Sequence, residues 1–328
     1  MNLVFLIAHP GPAEHFAAYS QVLTHATFLA DPNVQAKCPA AKVYQSIDQI
    51  PQEATVVIDI AEKWLEVVQQ LQETHPKVRC FVYYDNPEPF VPAPYSETAS
   101  KLISLAQGVL FANAALKGIQ DGQRQPIDLT QKGVQHIGYY PKEIGDKLLA
   151  DRQNAALVAQ KKREFFKHHN LTCSIDTPVF VYMGGANKEY YLAFDHFLKL
   201  IKELPPQPLV FIHQRHPRDT KPYPTIQLPQ GCHFVTSHLK TPETLLFAKG
   251  ALYYQTSMAP QCVFAGLPQI VQVGHEPYSD AVIRCGAPSV TTVEVLKQAM
   301  TQKTSVDQKQ LEQELGYDPN WKSNLQIK

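Results

Sequence analysis

No two cysteines stand in a Cys-x-x-Cys pair, and the six thiols (Cys38, Cys80, Cys173, Cys232, Cys262, Cys285) are far apart. That spacing excludes a disulfide frame or a cysteine zinc site and reads as reduced, mostly buried thiols of a cytosolic protein. An excess of either charge is missing too: 30 Lys+Arg face 30 Asp+Glu. No global field draws the chain onto nucleic acid or an anionic membrane, although a local basic pocket remains compatible with that balance. No apolar stretch reaches the roughly 20 residues that span a bilayer, so the protein is read as soluble or at most peripheral. The opening MNLVFLIAHPGPAEHF holds an apolar run of about six residues without a basic leader, the pattern of a first core strand rather than a signal peptide. Neither a Gly-x-Ser-x-Gly elbow nor a Walker phosphate loop occurs, which argues against a hydrolase triad and a P-loop kinase. Internal repeats and low-complexity tracts are absent as well.

What is present is a recurrence of short apolar runs. Of the 328 residues 44% are hydrophobic, a length and content suited to about two cores. Leu3 to Ala8, Thr55 to Ile60, Cys80 to Tyr84, Gly108 to Ala112 and Val134 to Tyr140 are nearly continuous in apolar character. Such runs are strands covered on both faces, hence a parallel sheet with helices on each side. From about 141 to 171 a charged stretch with a basic end reads as a connecting helix. The strand pattern then restarts at Val179 to Met183, Leu209 to Ile212, His233 to Val235, Ala251 to Tyr254 and Ile270 to Val273. Between the first two of these, Tyr191, Phe194, Leu198 and Ile201 mark one face of a helix. The expected architecture is α/β: two Rossmann-like, doubly wound parallel-sheet domains facing a cleft. The expected boundaries are 1–155, 156–305 and a tail, 306–328, whose helix packs back on the first domain with Trp321 as its anchor. The proline-rich 86–97 segment is expected to be a loop, because each proline removes a ladder donor.

In open α/β sheets ligands lie beyond the carboxyl ends of strands, so residues just after strands carry the functional weight. Gly184 and Gly185 in MGGANKEY would let backbone N–H groups approach a phosphate, or simply make a tight turn. His213, Arg215, His216 and Arg218 crowd HQRHPRD, supplying cations and proton donors for a leaving phosphate, or a solvated basic loop. Thr256 and Ser257 either cap the helix that follows them or donate to a phosphate at its start. His275 and Glu276 in HEPYSD offer acceptors and donors to sugar-like hydroxyls.

Taken together these segments resemble the nucleotide-binding half of GT-B glycosyltransferases. TSMAPQCVFAGLPQIVQVGHEPY is similar to their turn, short helix, Gly-x-Pro, strand and polar sugar-contacting pair. The RHP and TS motifs are similar to the His-Pro and Ser-Ser motifs of bacterial sialyltransferases and of some polymer-phosphate transferases. The resemblance covers 179 to about 300 best. It implies a metal-independent, inverting sugar transfer needing no cofactor beyond a UDP- or CMP-linked donor substrate, with an unknown hydroxyl acceptor as the other partner. Gln261 stands where many members carry a ribose-binding glutamate, and an amide would bond ribose without charge assistance. For the base, the resemblance points to the amino half: Asp85, otherwise an Asx-turn residue before proline, or the rivals His9 and His15 in AHPGPAEH. His168 and His169 are expected to be solvated on a basic helix. Alternative readings on the same fold are a nucleotide-sugar epimerase or hydrolase, a polyol-phosphate transferase, and a non-catalytic nucleotide-binding module.

Overall fold

A computed structural model describes residues 2–85, 93–112, 132–216, 219, 221–223 and 226–326, with backbone alone at 93–96. Within it are two compact units: Met1–Pro141 together with Glu312–Lys328, and Lys142–Leu311. Among the described residues no helix is long and apolar enough to cross a membrane.

The first unit is built on seven parallel strands: β1 (Asn2–Ile7), β2 (Thr27–Ala30), β3 (Lys42–Val43), β4 (Ala54–Asp59), β5 (Arg79–Tyr84), β6 (Gly108–Phe111) and β7 (Gly133–His136). Their order is β3-β2-β1-β4-β5-β6-β7. Alternation splits the apolar runs between two faces. Val4, Leu6, Val56, Ile58 and Val82 pack against α2 (Trp64–Thr74) and α3 (Ala93–Leu105) through Trp64, Val68, Leu71 and Leu102. Leu3, Phe5, Ile7, Val57 and Tyr83 pack against α1 (Pro10–Ser20) through Phe16 and Tyr19. Because both faces are covered, the central strands β1, β4 and β5 are apolar at most positions.

The second unit opens with α4 (Glu143–Arg152) and α5 (Ala155–His168). Its sheet comprises β8 (Val179–Gly184), β9 (Leu209–Gln214), β10 (Cys232–Thr236), β11 (Gly250–Tyr254), β12 (Gln269–Val273) and β13 (Ser289–Val290). The order is β10-β9-β8-β11-β12-β13, again all parallel. The helices are α6 (Lys188–Lys202), α7 (Thr241–Leu245), α8 (Ala259–Phe264), α9 (Ala281–Arg284) and α10 (Val293–Thr301). In α6, Tyr190, Ala193, Phe194, Phe197 and Ile201 form the buried stripe that covers Tyr182, Phe211 and Leu252. Two last helices follow, α11 (Gln308–Glu314) and α12 (Trp321–Asn324).

Several expectations change in detail. The stretch from 141 to 171 is two helices rather than one, because Asn154 interrupts it and caps α5 by accepting from Leu157 N (3.1 Å). The first of them belongs with the second unit. Gly145 N donates to Gln261 Oε1 (2.9 Å), and Arg152 Nη1 donates to the carbonyls of Leu245, Leu246 and Ala248. The segment 86–97 is not all loop: α3 starts at Ala93, with Pro94 in its first turn, where its missing N–H costs nothing. Residues 86–92 of that segment lie outside the described residues, as do Pro217 and Arg218. β7 is a mostly exposed edge strand.

The tail returns to the first unit. Trp321 is 4% exposed, with its ring 4.7 Å from Tyr139 and 5.6 Å from Tyr19. Asn324 Nδ2 donates to Ile137 O (3.0 Å), and Gln135 Nε2 donates to Asn324 O (2.6 Å).

Candidate active site

In each sheet one strand lies where the order reverses: β1 between β2 and β4, and β8 between β9 and β11. Loops leaving such neighbouring strands diverge to opposite faces and open a crevice beyond their carboxyl ends. In the second unit the loops after β8 and β11 are tied together there. Asn187 caps α6, its Oδ1 accepting from Tyr190 N (2.8 Å), and its Nδ2 donates to Gln255 Oε1 (3.1 Å). Gln255 holds a left-handed backbone (φ +49°), a conformation that a side chain this size adopts only where its surroundings enforce it. With Asn187 occupied by Tyr190 N, the amides of Lys188 and Glu189 project from the end of a fifteen-residue helix, α6.

The two glycines have different reasons to be glycine. A Cβ on Gly184 would lie 2.3 Å from the Tyr190 ring and 2.4 Å from Tyr254 O, so this residue lets helix and strand pack closely. A Cβ on Gly185 would meet only Gln255 O, at 3.6 Å. Gly185, half-buried, is the one that borders the crevice. Thr256 Oγ1 accepts from Met258 N (3.2 Å) in the turn that precedes α8, which has no side-chain cap of its own, and Ser257 is exposed.

The β9 loop is organised by a carboxylate that sequence reasoning missed. Asp219 accepts from Tyr223 Oη, Tyr191 Oη (3.2 Å) and Lys221 N (3.1 Å). Burial pushes its carboxyl up, but these hydrogen bonds and the Arg215 charge hold it below the usual carboxylate range. Arg215 is a staple of the same loop: Nε is 3.6 Å from Asp219 Oδ2, and Nη2 donates to the carbonyls of Asp219 (2.9 Å) and Lys221 (2.6 Å). Its charge is offset by Asp219 before any ligand arrives. His213 is fully buried, bonded to Tyr190 Oη (2.9 Å) and stacked 4.2 Å from the Phe194 ring. Burial lowers it to about 4, so it is a neutral core histidine. His216 is half-buried, and its carbonyl accepts from Asp219 N (2.8 Å).

At the end of β12, His275 Nε2 lies 3.8 Å from Glu189 Oε2 and 3.6 Å from Glu276 Oε1. The ligand atoms of these three side chains fall within 4.8 Å of one another, a set able to hold a cation or the hydroxyls of a sugar. Glu189 belongs to the first turn of α6, so this group adjoins the loop after β8. The clue was the Asn-Lys-Glu run at a helix start. Gln261, expected on a ribose, is 2% exposed, with its amide oxygen on Gly145 N–H. It serves the packing of α8 on α4 and presents no surface to a ligand.

The first unit closes its own reversal point. Asp59, fully buried at the end of β4, accepts from Ala8 N (2.8 Å) and His9 N (2.7 Å) through Oδ2 and from Trp64 Nε1 (2.6 Å) through Oδ1. Burial nevertheless pushes this carboxyl up to about 6. His9 is exposed as the N-cap residue of α1, and prolines occupy positions 10 and 12 behind it. Asp85 reaches the same turn: a Cβ on Gly11 would lie 2.8 Å from Asp85 Oδ2. The structure thus brings Asp85, after β5, to the turn after β1 that holds His9. His15 is a core residue instead, bonded through Nδ1 to Tyr83 Oη (2.8 Å) and lowered by burial to about 3.

No protein-family model matches the chain, and no curated protein matches it in sequence. Solved structures do match in shape. The N-terminal domain of trehalose-6-phosphate phosphatase from Candida albicans aligns with a TM-score of 0.54 and 11% identity, over 98% of this chain and 96% of that one. Sucrose-phosphate synthase from Thermosynechococcus elongatus aligns with a TM-score of 0.52 and 12% identity, over 99% and 94%. The fold is of the GT-B type. At such identities the likeness establishes two Rossmann-like domains, and the chemistry has to come from the residues.

Proposed function

We propose that this protein transfers a sugar from a nucleotide-activated donor to a hydroxyl acceptor. The observation that carries the reading is the tie between Asn187 and Gln255 at the reversal point of the second sheet. It fixes the mouth of α6 beside Thr256 and Ser257, with the Glu189, His275 and Glu276 group at its flank. Backbone amides at a helix start and a hydroxyl suit a phosphate, while carboxylates flanking an imidazole suit sugar hydroxyls. That one fold-sharing structure is a sucrose-phosphate synthase agrees with sugar chemistry.

In this reading Gly185, Thr256 and Ser257 surround the donor phosphates, Gly184 sets the approach of strand and helix, and His275 and Glu276 hold the sugar. Arg215 shapes the β9 loop through Asp219, and His216 stabilises the departing phosphate. The acceptor oxygen bonds to the anomeric carbon as the bond to the phosphate oxygen breaks, with inversion. Asp85, with His9 as the alternative, takes the acceptor proton. Charge developing on the leaving phosphate meets fixed dipoles and His216, so the step is written without a metal ion. The donor in this reading is a UDP- or CMP-linked sugar.

A panel of UDP-, GDP-, dTDP- and CMP-sugars, followed by nucleotide release and by thermal shift, tests this. Acceptor-stimulated release from one donor supports transfer, and release without acceptor makes the protein a hydrolase. No release and no shift with any nucleotide removes the proposal.

A further inference from the structure

A second cluster of titratable side chains lies outside the site just described, on the same unit. His168 ends α5, His169 caps it, and His238 sits in the turn between β10 and α7. Although His238 is about seventy residues away in sequence, the ligand nitrogens of all three rings lie within 4.8 Å of one another. His169 Nε2 and His238 Nδ1 are 3.0 Å apart, and the His168 and His238 rings stack at 3.6 Å. Two nitrogens bound to one tetrahedral zinc at about 2.0–2.1 Å stand ~3.3 Å apart, so the observed pair is already near the spacing of shared coordination.

We propose that His168, His169 and His238 form a binding site for one divalent transition-metal ion of the zinc type, with water completing the coordination.

Three features of the surroundings favour an ion here. Two of the rings rest on Phe165, which is buried, 4.4 Å from the His169 ring and 5.5 Å from that of His238. His168, which is exposed, turns out of its stack on His238 to bring a ring nitrogen to the ion. The last carbonyls of α5, a fourteen-residue helix, give this end of the unit a partial negative charge that favours a cation. The chain leaves the helix through Asn170 in a left-handed turn (φ +52°), which fixes His169 at the cap. Lys167, in the last turn of α5, opposes a cation at this end, and the Glu243 carboxylate beside His238 favours one. Three imidazole nitrogens are a donor set for Zn(II), Co(II), Ni(II) or Cu(II) and a poor one for Mg(II) or Ca(II). A bound ion would pin the C-terminus of α5 to the turn after β10.

The test is calorimetric titration of tag-free protein with Zn(II), with Mg(II) as the comparison ion and circular dichroism as a check on folding. One equivalent of Zn(II) is expected to bind, with affinity falling at least about tenfold in His169→Gln and in His238→Gln. Binding is expected to be unchanged in His275→Ala, which alters the other histidine-containing group. The proposal is overturned if the wild-type protein takes up no Zn(II), if both glutamine variants bind as wild type does, or if His275→Ala alone abolishes binding.

Discussion

Asp59 offers the sharpest quantitative test of the first unit. Its carboxyl is fully buried, and moving from the ordinary 3.8 to about 6 means that the ionised form is disfavoured in the folded state. About two pKa units at 1.36 kcal/mol each is about 3 kcal/mol. Below 3.8 both folded and unfolded chains hold the proton. Between 3.8 and about 6 only the folded chain does, and above about 6 neither does. This group therefore reduces stability as pH rises through that window, by about 3 kcal/mol in all, opposite in sign to a salt-bridged aspartate. Asp59→Asn removes the charge. Its amide oxygen can still accept from Ala8 N and His9 N, but its NH2 faces Trp64 Nε1–H, a mismatch costing about 1–3 kcal/mol at every pH. The stability difference between variant and wild type should thus shift by about 3 kcal/mol in favour of the variant between about pH 4 and pH 7. Urea unfolding followed by tryptophan emission measures this cleanly, because both tryptophans, Trp64 and Trp321, belong to the first unit. A difference that stays constant from acid to neutral pH would refute the buried-carboxylate reasoning.

Other outcomes follow from the second unit. Gly184→Ala, whose new methyl would overlap the Tyr190 ring and Tyr254 O, should cost about 2–3 kcal/mol in thermal or urea unfolding followed by circular dichroism. Gly185→Ala, with ordinary contact at 3.6 Å, should stay within about 0.5 kcal/mol of wild type, and equal losses at the two positions would sink the packing account. On the proposed chemistry, His216→Ala lowers turnover by about 10²-fold or more, and an unchanged rate would remove it from the mechanism. Asn187→Ala should lose about 1 kcal/mol of capping and raise the donor KM more than it lowers kcat, since it frees the Gln255 loop that borders the phosphate position.

Strands buried on both faces, such as Thr55 to Ile58 and Val179 to Gly184, are legible in sequence because nearly every position is apolar or small whichever way it points. The strands that escaped notice, β2, β3 and β13, have four, two and two residues, too few for any period to show. Strand order was not legible at all, since parallel pairing joins segments whose sequences carry no mark of their neighbours. The site divides along the same line. Thr256 in the turn before a helix and His275 with Glu276 after a strand are local patterns. Asp59 on the Ala8 and His9 amides, Gln261 on Gly145 and His238 against His169 each join residues fifty or more positions apart, and only the folded chain brings them together.

The turn after β1 has a consequence for how the two halves of the molecule differ. Pro10 and Pro12 contribute no amide hydrogen, and the amides of Ala8 and His9 already point at an aspartate from the chain itself. In the first unit the seat beside that turn is filled by the chain's own carboxylate. On the proposed reading the donor phosphate goes to the start of α6 in the second unit, so a nucleotide offered to the protein should bind at one sheet and be turned away by Asp59 at the other.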